Sequence, residues 1–160
     1  MIREENVLAT IDSDKHMSIF DSVAQNAISK NQQIEITSKG ILLNIASKNP
    51  DKVVNSLRKI MINGNQENMV ASATCLVLIT NKIPDKMMPH IAKLMKDENM
   101  YVVGSVVAFL PMIAENVDLN KYDYVLKTLE EIRNGDDEIL RKVATEVTEM
   151  IKEIEKKRDK

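Results

Sequence analysis

The segment NMYVVGSVVAFLPMI (Asn99–Ile113) shows the helical periodicity on which the predicted fold is based. Apolar residues follow its first residue at offsets of 3, 7, 10 and 14; they are Val102, Val106, Phe109 and Ile113. Positions spaced in this way lie along one side of an α-helix. Asn commonly caps the N-terminus of a helix. The stretch therefore predicts a capped helix that buries one apolar stripe.

The same pattern occurs four times along the chain. The copies start at Asn31, Asn65, Asn99 and Asp137. Successive starts are 34, 34 and 38 residues apart. The residues at offset 14 are Ile45, Ile79, Ile113 and Ile151. In the first copy we also expect Ile34 and Ile41 to be buried. In the second copy the polar residue Asn68 stands at offset 3, where a buried apolar residue is expected. Self-similarity at such a period is typical of helical repeat proteins.

A second apolar pattern precedes each copy at the same spacing. Its residues are Val53, Val54, Leu57 and Ile60, then Met87, Met88, Ile91 and Leu94, then Val125, Leu126, Leu129 and Ile132. Pro50 and Pro84 stand where two of these helices begin, a position at which the missing N–H of proline costs little. Gly64 and Gly135 follow helix ends, where we expect a left-handed backbone conformation.

These patterns predict one all-α domain over residues 1–160, built as about four antiparallel helix pairs. The pairs occupy residues 16–49, 50–83, 84–116 and 117–157, after an N-terminal extension or short helix within residues 1–15. The predicted helices lie near 3–11, 16–29, 32–48, 51–62, 66–81, 85–96, 99–115, 121–133 and 137–157. The last copy carries a polar face typical of a terminal capping repeat.

Two stretches resemble HEAT repeats. MMPHIAKLMKDENMYVVGSVVAFLPMIA (Met87–Ala114) has a first helix with Pro89, a turn with Asp97 and a second helix with V-x-x-x-V-x-x-x-L spacing. DEILRKVATEVTEMI (Asp137–Ile151) is similar to the second helix of such a repeat. The consensus is degenerate, so armadillo-like relatives stay open. The resemblance implies a right-handed superhelix of antiparallel helix pairs, and it implies no enzyme activity.

Composition bounds the setting of the protein. The chain has 22 Lys and Arg against 24 Asp and Glu, a net charge of −2, and only 3% aromatic residues. This balance gives no general electrostatic footprint for nucleic acid. One cysteine, no signal-peptide pattern and no long apolar run lead us to expect a cytoplasmic protein without a membrane partner.

No pattern for catalysis, a metal or a cofactor is present, so we predict no catalytic, cofactor-binding or metal-binding residues. The two histidines, His16 and His90, and Cys75 cannot assemble a zinc pattern. Cys75 falls in a buried column, where a thiol is inert. Enzyme activity would require a deep pocket that joins Tyr101, His90 and a carboxylate.

Several residues beside the stripe of the second helices are also apolar, although a solenoid helix need not be apolar all round. Close packing of these helices, helped by the small residues Gly40, Thr74 and Ala108, is one interpretation. The other is an apolar concave strip exposed to a partner, formed by Leu43, Val77, Leu78, Pro111 and Met112.

We therefore predict a non-catalytic scaffold or adaptor that binds another protein or a helical peptide, including a second copy of itself. The alternative function is nucleic-acid binding by cations of the first helices. These residues are Lys52, Arg58, Lys59, Lys86 and Lys93. Acidic residues alternate with them and no aromatic residue is placed to stack bases, so the signal for nucleic acid is weak.

Overall fold

The computed structural model describes residues 17–158 and residue 160. The helix predicted near residues 3–11 and His16 lie outside this part. The described residues form eight α-helices and contain no strand. The helices are α1 (Met17–Asn26), α2 (Gln32–Lys48), α3 (Pro50–Asn63), α4 (Gln66–Lys82), α5 (Pro84–Leu94), α6 (Met100–Ala114), α7 (Asp123–Arg133) and α8 (Glu138–Arg158). A 3₁₀ turn, Leu119–Lys121, precedes α7.

The helices pack in two layers. The first helix of each pair contacts the first helix of the next, so α1, α3, α5 and α7 form the first layer. The second helices α2, α4, α6 and α8 form the second layer in the same way. Each first helix also packs against the second helix of its own pair. The predicted all-helical fold of four helix pairs is confirmed.

The predicted helix starts are confirmed by hydrogen bonds. Asn31, Asn65, Asn99 and Asp137 each accept, through a side-chain oxygen, backbone N–H groups two or three residues later. These bonds satisfy N–H groups that have no partner within the helix. Pro50 and Pro84 occupy the first turn of α3 and α5.

A single aliphatic core runs between the layers. The offset-14 residues Ile45, Ile79, Ile113 and Ile151 are all buried and belong to this core. Leu57, Met87, Met88, Ile91 and Val125 reach it from the first layer. The sequence pattern therefore identified the shared interior of the repeats.

The prediction was wrong for two stripe residues of the first copy. Ile34 and Ile41 are 43% and 42% exposed. Equivalent residues of later copies, such as Cys75 and Val147, are buried. Cys75 of α4 occupies the same repeat position as Ile41, and it lies beside Gly40 and Leu43 of α2. This position therefore faces the second helix of the preceding pair. Among the described residues no second helix precedes α2, so this side stays open.

Polar contacts tie neighbouring pairs together. Arg58 of α3 donates from Nε and Nη2 to both carboxylate oxygens of Asp97, at 2.5 and 2.8 Å. The hydroxyl of Tyr122 donates a hydrogen bond to Asp85 at 2.5 Å. This bond to a carboxylate is the main cause, and burial the second, that raises the pKa of Tyr122 to about 12. Arg158, at the end of α8, donates to the backbone carbonyl of Ala114 and so covers the end of α6.

The left-handed conformation predicted at Gly64 and Gly135 is wrong, because no described glycine has a positive φ. Gly64 has φ −83° and ψ 167°, which other residues also adopt. Its requirement for glycine is steric. A Cβ there would lie 2.5 Å from the Ile60 carbonyl oxygen and 2.8 Å from the Cβ of Asn68.

Two alanine substitutions should therefore act in opposite directions. We expect Gly64→Ala to lower the free energy of unfolding by about 1–3 kcal/mol, because the backbone must shift. Gly40→Ala should raise it by up to about 1 kcal/mol, because Gly40 lies inside α2 and a Cβ there meets no atom within 4 Å. Urea denaturation of both variants measures the difference, and equal shifts would contradict the steric explanation.

Candidate binding surface on the second helices

The five residues predicted to form a binding strip are divided between the core and the surface. Leu78 and Met112 are exposed by 45% and 42%, and Leu43 is half-buried. Val77 and Pro111 are buried, so the prediction is wrong for these two. Val77 and Pro111 occupy offset 12 of their copies, as Leu43 does in the first copy. This side of each helix faces the second helix of the next pair. The packing of α6 and α8 covers that side.

The exposed side of the second layer is nevertheless apolar across three helices. We call it the apolar face, and it consists of Ile36, Gly40, Val70, Thr74, Leu78, Ala108 and Met112. These residues occupy offsets 5, 9 and 13 of successive copies, which lie along one side of a helix. Because α2, α4 and α6 pack side by side, the rows form a continuous surface.

The centre of the apolar face carries almost no charge. No Asp, Glu, Lys or Arg occurs between Asn68 and Asn81 or between Asn99 and Ala114. Uncharged residues continue to the N-terminal half of α6, where Tyr101 is largely exposed. The face ends at α8, whose exposed residues include Lys142, Glu146, Glu149 and Glu153. This is the polar terminal helix that the sequence predicted.

One exposed apolar residue beyond the apolar face, on α8, was not among the predicted site residues. Met150 of α8 is exposed and occupies offset 13, the same position as Leu78 and Met112. The repeat register contains the signal that would have found it. Offset 13 is Asn44 in the first copy and Leu78, Met112 and Met150 in the later ones, so this position is apolar in α4, α6 and the charged helix α8.

A small notch lies within the apolar face between α2 and α4. Its volume is about 230 Å³ and its lining is almost wholly apolar. The lining residues are Lys39, Gly40, Leu43, Cys75, Leu78, Ile79 and Lys82. Gly40 lines the notch and contributes no side chain to it, and its equivalents in the next two copies are Thr74 and Ala108. Gly40 therefore leaves open space and does not serve close helix packing as one interpretation held.

Cys75 lies at the base of this notch with its side chain fully buried. Burial raises the pKa of the thiol to about 11. A thiol with this pKa is almost entirely protonated near neutral pH and is a poor nucleophile. The placement agrees with the inert core cysteine that its column predicted.

The first layer contains a polar groove beside His90. His90 Nδ1 lies 3.3 Å from an Asp51 carboxylate oxygen, and Asp97 and Glu98 also line the groove. Tyr101 is 74% exposed and does not line it. The groove thus lacks one of the three groups that an enzyme was expected to bring together. No group of three His, Cys, Asp or Glu among the described residues is arranged to hold a metal ion.

The cations considered for nucleic-acid binding are largely engaged within the protein. Arg58 pairs with Asp97, and Lys59 lies 3.1 Å from Asp21. Lys86 donates to the backbone carbonyl of Ser47. Phosphate binding would have to compete with these contacts. No helix of the described residues has the length and apolar character to cross a membrane.

Comparison with known proteins finds a likeness among solved structures only. No family model matches the chain, and no curated protein matches its sequence. Among solved structures, it is similar to a designed armadillo repeat protein in complex with a (KR)4 peptide, with 16% identity and a TM-score of 0.42. The match covers 92% of this chain and 68% of that one. The packing of its own helices shows that this chain is an all-helical repeat protein built from helix pairs.

Proposed function

We propose that the protein is a non-catalytic adaptor that binds a short segment of another protein on the apolar face. The observation that carries this proposal is the exposed row of Ile36, Val70, Leu78 and Met112 across three adjacent helices. An extended apolar surface on a monomer marks an interaction site. Met side chains adapt to apolar partners of different shape. A cytoplasmic setting is part of the proposal and is supported by a single, buried cysteine.

Substitution within the apolar face should remove binding without unfolding the protein. The probe is a set of peptides selected on the wild-type protein from a displayed library of random 12-residue sequences. We expect Met112→Asp to bind the selected peptides at least about tenfold more weakly, because a charge replaces an apolar contact of the surface. Fluorescence anisotropy with labelled peptides measures the affinity.

Ile62→Asp is the matched control. Ile62 is also a partly exposed apolar residue, but it belongs to α3 in the first layer. Its replacement should leave peptide binding unchanged. The proposal fails if no peptide is enriched, or if the control variant and Met112→Asp bind equally well. Circular dichroism of both variants verifies that the helices are retained.

A further inference from the structure

The notch between α2 and α4 has the size and chemistry of a pocket for one side chain. Pockets that hold a whole small-molecule ligand are typically about 300–1,000 Å³, and the notch is smaller, at about 230 Å³. Leu43, Cys75, Leu78 and Ile79 are among its lining residues, and the lining is almost wholly apolar. Such a lining favours an aliphatic or aromatic side chain and offers no partner for a buried polar group.

The rim of the notch is basic. Lys39 and Lys82 border it from α2 and α4. Lys39 forms an ion pair with Glu35, one turn earlier in α2. Lys82 is exposed in the last turn of α4, and among the described residues no carboxylate pairs with it. Within the part of the chain that the structure describes, the rim therefore carries one positive charge without a carboxylate partner, beside an apolar pocket.

We propose that the notch is the anchor pocket of the apolar face, and that it binds a bulky apolar side chain of a partner peptide whose neighbouring residue is acidic. The apolar side chain fills the space left by Gly40, and the acidic residue pairs with Lys82. This inference rests on the proposed function, since it specifies which peptides the apolar face selects. It also distinguishes the junction of α2 and α4 from the later junctions of second helices, where Thr74 and Ala108 replace the glycine.

Gly40 provides a direct test, because the notch can be filled from within. Gly40 lines the notch and a Cβ there meets no atom within 4 Å, so we expect Gly40→Leu to fill part of the notch without displacing the core. We expect this variant to retain its helices and to bind the selected peptides at least about tenfold more weakly, since the peptide's apolar side chain loses its site. Gly40→Ala fills less of the notch and should weaken binding less.

Lys82 tests the second half of the inference. Peptides selected on the wild-type protein should share a Leu, Ile, Met or Phe next to an Asp or Glu. Lys82→Gln should weaken such peptides by about two- to fivefold, the range for an exposed ion pair, and added salt should reduce this difference. Replacement of the peptide's acidic residue by Asn or Gln should have no further effect in the Lys82→Gln variant.

The outcomes separate this inference from the proposed function. Met112 does not line the notch. Selected peptides that bind Met112→Asp more weakly than the wild type, but bind Gly40→Leu equally well, would support the apolar face. The same result would overturn the anchor pocket. Selected peptides without an acidic residue would overturn it as well. Concentration-dependent dimers in light scattering that disappear in Gly40→Leu would show that a second copy occupies the notch, and would also overturn it.

Discussion

Val77→Asp is expected to lower the free energy of unfolding by more than about 4 kcal/mol, because the new carboxylate would be buried without a partner. Val77 is only 3% exposed and belongs to the common core. A loss of this size is a large part of the roughly 5–15 kcal/mol that stabilises a typical domain. Urea denaturation followed by circular dichroism measures it.

The adjacent residue is the matched control for this prediction. Leu78→Asp should change the free energy of unfolding by less than about 1 kcal/mol, because Leu78 is 45% exposed and a carboxylate there remains hydrated. The two variants carry the same new charge at neighbouring positions of α4. If both unfold, Leu78 belongs to the core and the apolar face is not an available surface.

Removal of Arg58 should have the second largest effect on stability. Arg58→Ala is expected to lower the free energy of unfolding by about 2–3 kcal/mol, since it removes both hydrogen bonds to Asp97. The Asp97 side chain is only 10% exposed and would be left poorly solvated. Lys59→Ala is the control, because Lys59 and Asp21 are both well exposed and should contribute less than about 1 kcal/mol.

The contribution of this pair should depend on pH. The hydrogen bond from Arg58 is the main cause that lowers the pKa of Asp97 below its ordinary value. A carboxyl whose folded pKa is lowered stabilises the protein above its unfolded pKa, near 4, and loses this contribution as the pH falls through the folded pKa. The difference between wild type and Arg58→Ala should thus be full at pH 7 and shrink below about pH 4. A difference independent of pH would contradict the role of Asp97.

Local sequence patterns were sufficient to predict the helices. Asn31, Asn65, Asn99 and Asp137 cap helices because each side chain bonds to N–H groups only two or three residues away. Helix bounds agree with the prediction within a few residues because capping and apolar spacing act within single turns. The shared core could be predicted for the same reason, since the offset-14 isoleucine is buried in every copy.

The candidate site could be predicted only in part. Sequence periodicity identified the second helices as apolar beyond one stripe, but it could not separate Val77 from Leu78. These neighbours differ in burial because α6 covers one of them and leaves the other open. The exposure of Ile34 and Ile41 likewise follows from the absence of a preceding second helix among the described residues.

The repeat, its register and most residues that face the common interior could be predicted from the amino-acid order, because they depend on spacing along single helices. The three-dimensional arrangement was needed to show which apolar side chains remain uncovered and that a notch opens beside Gly40. It was also needed to show that Arg58 is paired, whereas Lys82 has no carboxylate partner among the described residues. Those properties depend on the distance and orientation between separate helices. A spacing pattern within one helix does not contain that information.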